Sequence, residues 1–555
     1  MPVVSFLPDQ RRIEIPNGTT ILEASRRAGV LIEAPCNGAG HCAKCLVHLA
    51  VDDLAHLLVH LDAPTDGISN GAVLACHAEV YDDVTVNVAP HTETGLRVLS
   101  SGAAVGVTAD PFITKRYDCT TNRTSILAGG NLISTEAGDT TGSTIGLVVD
   151  IGTTTLVAAL VDLLNGRTLA SSTALNPQSL HAQDILSRIR FAGSPEGLRS
   201  MQRDVVEEIN RLLVTLTETA GIATADVHEA VLSGNTCMLH LLAGVDPTPL
   251  GKHPFLPSIR GGRHIAATDI GLNISPGGLA YLPPVISAYV GADISSGILA
   301  TDLAALTGST LFIDIGTNGE LVLAENGRLV ASATAAGPAF EGMNISCGMR
   351  AAVGAIERFS ILTDGELEIG VIGDVTPTGI CGSGLMDLVS ELLEHGVIGA
   401  SGRLAVPRSE GDTHQKLAAR IIRIDGGSAF HIHEHVLISQ KDIRQVQLAK
   451  GAIRAGIELL LRKAGISADN LDRVLIAGSF GYHLRERSLL TLRLLPPETS
   501  GKISFVGNTS RSGGEMLLVN RQLREQLAGI VSRVIPMDLA SDPDFERTFI
   551  EAMKF

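Results

Sequence analysis

Cys36, Cys42 and Cys45 stand in C-x5-C-x2-C register within Pro35-Cys36-Asn37-Gly38-Ala39-Gly40-His41-Cys42-Ala43-Lys44-Cys45. Cys76 follows in Leu74-Ala75-Cys76-His77. The chain holds eight cysteines in 555 residues, and half of them sit in its first sixth. A disulfide framework would spread its cysteines through a short secreted chain. A zinc site favours paired knuckles, and only Cys42 and Cys45 make one. Four thiolates from one glycine-bearing loop and one later turn suit an iron–sulfur cluster. Gly38 and Gly40 let backbone N–H groups turn toward the sulfurs and offset their negative charge. A small domain organised around its own cysteine loop is the first constraint on the fold.

The spacing resembles that of plant-type ferredoxins, C-x4-C-x2-C and a distant fourth Cys, with one extra residue in the first gap. Gly71-Ala72-Val73-Leu74-Ala75-Cys76-His77-Ala78 also resembles the ferredoxin segment around the last ligand. The resemblance implies a 2Fe–2S cluster on Cys36, Cys42, Cys45 and Cys76. Strands are predicted at 3–6 and 12–15, then a helix capped by Thr20 and stopped by Gly29. Further strands are expected after Cys45 and over 84–88. Residues 1–90 therefore read as an N-terminal α+β, β-grasp, ferredoxin-like domain.

A chain this long does not form one core, so two to four domains are expected. The net charge of −16 argues against a phosphate-backbone partner. Aromatics make up 3% with no Trp, too few for base-stacking platforms. No nucleic-acid partner is expected. No apolar run of membrane-spanning length occurs, since Asp293 and Asp302 interrupt the best candidate, 282–306. No signal peptide is legible at Met1-Pro2-Val3-Val4, so the expected location is the cytoplasm. Residues 91–143 are rich in Ser, Thr, Gly and Asn and read as a linker or short middle segment, with a short folded piece around 112–117. A mobile tether and a loop packed on the large domain are both open readings. Cys119 is expected to be an unpaired thiol.

Residues 144–555 carry a duplicated element. Ile145-Gly146-Leu147-Val148-Val149-Asp150-Ile151-Gly152-Thr153-Thr154 is a buried strand running into a Gly-Thr turn. It recurs as Leu311-Phe312-Ile313-Asp314-Ile315-Gly316-Thr317-Asn318-Gly319-Glu320. Such a turn exposes N–H groups to phosphate oxygens, and an Asp at the strand end can hold Mg²⁺ directly or through water. Val474-Leu475-Ile476-Ala477-Gly478-Ser479-Phe480-Gly481 is a third strand followed by a glycine turn. Gly379-Ile380-Cys381-Gly382-Ser383-Gly384 opens a helical run. Its amides would attract a phosphate or a nucleotide edge, or its glycines would permit close helix packing. Neither G-x-G-x-x-G nor a P-loop is present.

The three strand-and-glycine segments resemble the phosphate-1, phosphate-2 and adenosine motifs of the acetate kinase/sugar kinase/Hsc70/actin superfamily. That resemblance implies a large α/β actin-like ATPase domain of two RNase-H-like lobes, the first from 144 and the second from about 308. It implies ATP and Mg²⁺ in the cleft between them. Asp150 and Asp314 are the candidate catalytic residues. Gly152, Thr153, Thr154, Gly316, Thr317, Asn318, Gly382, Gly384, Gly478 and Gly481 are the candidate nucleotide contacts.

A plant-type-like cluster domain fused to such an ATPase resembles the reductive activators of corrinoid proteins, over nearly the whole chain. Asn176-Pro177-Gln178, residues 184–189, Ser233-Gly234-Asn235-Thr236, residues 336–342, Gly348-Met349-Arg350 and residues 505–509 look like that family as well. The connector is shorter than in some relatives. No Cys follows Cys381, so the C-terminal 4Fe–4S sites of other relatives are absent. The resemblance implies ATP-dependent reduction of Co(II) to Co(I) in the corrinoid protein of a methyltransferase system. The electron would come through the cluster from a donor such as ferredoxin or flavodoxin. A homodimer is left open. The need for ATP is energetic. A plant-type cluster near roughly −400 mV, facing an acceptor about 0.2 V lower, works against about 5 kcal/mol. Three other classes stay open: activation of another low-potential enzyme, a ferredoxin-fused small-molecule kinase, and a nucleotide-sensing electron carrier without ATP turnover. The loop 344–348 is a further candidate for facing the corrinoid partner, set against a simple packed turn.

Overall fold

The computed structural model describes residues 1–34, 38, 44–50, 52–59, 71–88, 102, 106–405, 412–424, 427–478, 484–539 and 541–555. Cys36, Cys42 and Gly481 lie outside them.

The N-terminal unit is a β-grasp. Val3–Leu7 pairs antiparallel with Arg11–Glu14 and parallel with Val84–Asn87, and Leu46–Leu49 and Ala72–Leu74 complete the sheet. Alternation in Val3–Leu7 sends Val4 and Phe6 into the core, and helix Ile21–Ala28 packs Ile21, Leu22 and Ala24 against them. The helix begins where expected, with the Thr20 hydroxyl accepting from the Glu23 N–H at 3.2 Å. It ends at Gly29 in the left-handed conformation.

The connector is more structured than its composition suggests. Ile113–Asp118, Arg123–Ala128 and Asn131–Ala137 form an antiparallel three-stranded sheet, well beyond the short piece expected around 112–117. Alternate residues of the central strand are buried. Ile113, Ile126 and Ala128 join Val148, Tyr281 and Leu518 in one cluster. Over these residues the packed alternative therefore holds, not the tether. Thr and Ser read as linker residues in bulk, yet β-branched Thr suits a half-buried sheet.

The large region repeats one sheet twice. In the first lobe the strand order is Arg167–Leu175, Thr155–Asp162, Ile145–Ile151, Val227–Gly234, Leu279–Leu282, with Arg263–Ala266 at the edge. In the second it is Arg328–Thr334, Gly319–Glu325, Ser309–Ile315, Arg473–Ala477, Ile503–Gly507, with Ile535–Pro536 beside Arg328–Thr334. Each begins with a three-strand antiparallel meander and continues through parallel strands. The central strands are buried on both faces, so they read as unbroken apolar runs. Helices Pro195–Ala220 and Gln440–Ala464 cover the outer faces. Helix Thr509–Val519 leaves the second lobe's last parallel strand and packs on the first lobe, against Ala292–Ala300. The chain thus crosses back, and the Asp-Gly turns of both lobes face one cleft.

Candidate nucleotide cleft and cluster site

The cleft lies where the two duplicated turns meet. Asp150, Gly152, Thr153, Thr154, Asp314, Gly316, Thr317, Asn318, Gly382 and Gly478 all line it. Both turns are tight, Gly152 N–H donating to Thr155 O and Gly316 N–H to Asn318 O. The hydroxyls of Thr154 and Thr317 lie 3.4 Å apart across the lobes, and Thr317 donates to Glu341 at 2.6 Å.

Residues quoted above only as family-like stretches support the first turn. Asn176 Nδ2 donates to Gly152 O at 2.8 Å, and the buried Arg188 donates to Thr153 O at 2.6 Å. Asn235 Nδ2 reaches the Thr153 hydroxyl at 3.2 Å. Burial pulls the Arg188 guanidinium down to about 10, still a cation at neutral pH. Its Nη2 satisfies one carbonyl of the tight turn, while Nε donates to Ala182 O.

Asp150 and Asp314 are both partly buried at the ends of their strands. Asp150 accepts from Ser510 at 2.7 Å and from Asn508 at 2.9 Å, but burial still raises its carboxyl above the ordinary value. Asp314 is pushed up to about 8 by burial, then by Asp293 and Asp150. Asp293 is pushed up to about 7 by burial and by Asp150. Glu320 is raised too, by burial and then by Asp293 and Asp314. A cation among these carboxylates would favour their ionised form. Among the described residues no three His, Cys, Asp or Glu side chains converge as a metal cage.

Sequence reasoning did not assign Asp293 or Glu320 to the site. The signal for Asp293 was present: one carboxylate at the start of the apolar helix Ala292–Ala300. Glu320 stands inside the second repeat, two residues past Asn318. Arg350 and Glu341 also line the cleft and were not assigned.

The glycines divide. Gly478 has φ +122°, and a Cβ there would stand 2.5 Å from Ile315 O and 3.2 Å from Asp314 Oδ1. It lets the third strand's turn lie directly on the second repeat. Gly384 presses on the Ile356 carbonyl and does not line the cleft. For that residue the helix-packing alternative describes the position. Gly382 does both, lining the cleft and packing on Phe340 O.

At the cluster site, Cys45 opens the strand Leu46–Leu49 and Cys76 follows the neighbouring strand Ala72–Leu74. Their sulfurs stand 3.3 Å apart. Two thiolates on one tetrahedral metal, each at about 2.3 Å, lie under about 4 Å from each other, so the pair fits a shared iron. The hydrogen bond with Cys76 lowers the Cys45 thiol to about 7 despite its burial. Cys237 and Cys381 are buried, and Cys119 is an exposed free thiol. Burial pushes Cys237 up to about 12, as an inert core thiol requires. Cys347 is only partly buried.

The loop 344–348 is a packed turn. Ser346 donates from both its N–H and its hydroxyl to Asp442. Its outer side meets the cluster domain, where Lys44 Nζ donates to Ser346 O at 2.9 Å and Gly348 O at 2.7 Å.

Comparison with known proteins agrees with this geometry. Residues 6–81 match the 2Fe-2S iron-sulfur cluster binding domain, residues 145–305 the RACo middle region, and residues 308–555 the C-terminal domain of RACo, the ASKHA domain. A solved structure described as a reductive activator for corrinoid, iron-sulfur protein is 30% identical. The likeness spans 100% of this chain and 98% of that one, with a TM-score of 0.74. The chain belongs to the reductive activators of corrinoid proteins. The chain is also similar to the corrinoid activation enzyme RamQ of Eubacterium limosum, 27% identical over 98% of this chain and 97% of that one. The Co(II) methylated amine-specific corrinoid protein reductase of Methanosarcina barkeri is 24% identical over 70% of this chain and 72% of its own.

Proposed function

We propose that this protein is an ATP-dependent reductive activator that returns the Co(II) form of a corrinoid protein to Co(I), in support of a corrinoid-dependent methyltransferase. The observation that carries the reading is the whole-length likeness to a reductive activator, joined to a thiol pair and a two-lobed cleft in one chain.

Cys36, Cys42, Cys45 and Cys76 would hold the cluster. When bound, the cluster supplies one-electron transfer from a donor such as ferredoxin or flavodoxin to Co(II). The protein's own contribution begins with Cys45, whose lowered thiol favours the thiolate that a metal requires. Asp150, held by Ser510 and Asn508, and Asp314 would hold Mg²⁺. The turns at Gly152 and Gly316 and the hydroxyls of Thr153, Thr154 and Thr317 hold the phosphates from both lobes, with Asn318 beside them. Gly478 and Gly481 admit the adenosine. Hydrolysis of ATP, with closure of the lobes, would meet the uphill cost of the electron.

Among the described residues no helix is long and apolar enough to cross a membrane. The proposed location is the cytoplasm, where thiols stay reduced.

The test is the electron paramagnetic resonance spectrum of the reduced protein mixed with a Co(II) corrinoid protein, with and without ATP. The expected result is loss of the Co(II) signal only when ATP is present. A reduced 2Fe–2S signal with Co(II) untouched by every corrinoid partner offered would overturn the reading.

A further inference from the structure

Arg350 is the one basic residue lining the cleft among the described residues, and it faces Asp150, Asp293, Asp314, Glu320 and Glu341 there. A polyanionic nucleotide entering such a pocket needs every cation it can find. Yet Arg350 is engaged elsewhere, its Nη1 donating to Glu33 of the cluster domain at 2.6 Å. Its Nε is buried and has no hydrogen-bond partner. In a guanidinium, Nε and Nη2 share one edge, while Nη1 lies on the far side. The bond to Glu33 therefore leaves the side-on fork, the edge that binds phosphate oxygens bidentately, available. An orphaned buried N–H is costly, and an anionic oxygen would satisfy it. Two residues away, Gly348 O accepts from Lys44, which lies between Cys42 and Cys45 in sequence. The loop 346–350 thus touches the cluster domain on one side and the nucleotide cleft on the other.

We propose that Arg350 is a phosphate ligand shared with the cluster domain. Its Nε/Nη2 edge takes a nucleotide phosphate while Nη1 keeps Glu33, so nucleotide binding and docking of the cluster domain strengthen each other. The inference rests on the cleft being a nucleotide site, and it specifies how that site reaches the electron-transfer unit. Coupling of this kind is reciprocal: what docking gives to nucleotide affinity, nucleotide gives back to docking.

Calorimetric titration of the full chain with MgAMPPNP tests it, using wild type, R350A, R350K and E33Q. Hydrogen exchange of residues 31–34 and 44–50, with and without MgAMPPNP, reports docking. R350A should weaken binding by about tenfold or more, and R350K, which keeps charge without the fork, should fall between. E33Q leaves the cleft intact and should still weaken binding, by about fivefold. MgAMPPNP should slow exchange in the cluster-domain segments of wild type but not of E33Q. R350A binding like wild type would reduce Arg350 to an interdomain ion pair and overturn the proposal. E33Q binding more tightly would mean that Glu33 competes with phosphate, and would overturn it equally. A wild-type chain that binds no nucleotide would instead remove the nucleotide reading itself.

Discussion

The hydroxyl oxygens of Thr154 and Thr317 lie 3.4 Å apart, although one belongs to the first lobe's turn and the other to the second's. The contact marks where two copies of one motif meet across the cleft. Thr317 also donates to Glu341, so a single hydroxyl serves the lobe contact and a carboxylate at once.

Thr317→Val keeps the shape of the side chain and removes that hydroxyl. It leaves the Glu341 oxygen without its donor, a loss of about 1.5–3 kcal/mol for a bond to a charged group. The expected outcome is ATP hydrolysis slowed by about tenfold or more, with thermal stability lowered modestly. Steady-state phosphate release measures the first and thermal unfolding the second. A rate equal to wild type would remove Thr317 from the phosphate contacts.

The Asp314 carboxyl makes the metal-free protein sensitive to pH. Its folded value, about 8, lies well above the unfolded carboxylate range near 3.8. Between these values the folded state holds a proton that the unfolded state releases, so stability falls as pH rises through the window and levels off above it. Denaturant midpoints in EDTA should be lower at pH 8 than at pH 6. Asp314→Asn should flatten that difference, and Mg²⁺ with nucleotide should reduce it in wild type by stabilising the ionised form. An unchanged slope in Asp314→Asn would assign the effect to Asp293 and Glu320 instead.

Gly478→Ala forces a Cβ against Ile315 O in a backbone conformation that L residues rarely adopt. Strain of this kind costs about 1–3 kcal/mol. Because the Cβ also approaches Asp314 Oδ1, nucleotide affinity should fall together with the melting temperature. Parallel calorimetry and thermal scans would show both. Loss of stability with affinity intact would mean that the strand relaxes without disturbing Asp314.

Cys76→Ala should abolish the visible absorption and paramagnetic signal of the cluster. In the metal-free protein it should also move the Cys45 thiol upward from about 7, since the hydrogen bond with Cys76 is the largest cause of its lowering. The alkylation rate of Cys45 against pH reads that shift. Cys119→Ser should leave the cluster spectrum unchanged.

Local chemistry made much of this protein legible. The cysteine spacing, the two Asp-Ile-Gly turns and the strand before Gly478 are short segments whose residue types suit the metal or phosphate proposed for them. The sequence by itself therefore determined the cluster domain, the duplicated lobes and most of the cleft. Tertiary structure decided what depends on distant chains meeting. Asn508 and Ser510 become partners of Asp150 because helix Thr509–Val519 crosses to the first lobe. Asp293 and Glu320 join the site because packing brings carboxylates from a helix and three strands together. Residues 113–137, linker-like in composition, become a sheet because Ile113, Ile126 and Ala128 find apolar neighbours on the first lobe. Glu33 meets Arg350 across 317 positions of chain. Period and spacing report what each segment binds locally, whereas pairing between segments is set by packing, which no single stretch of sequence encodes.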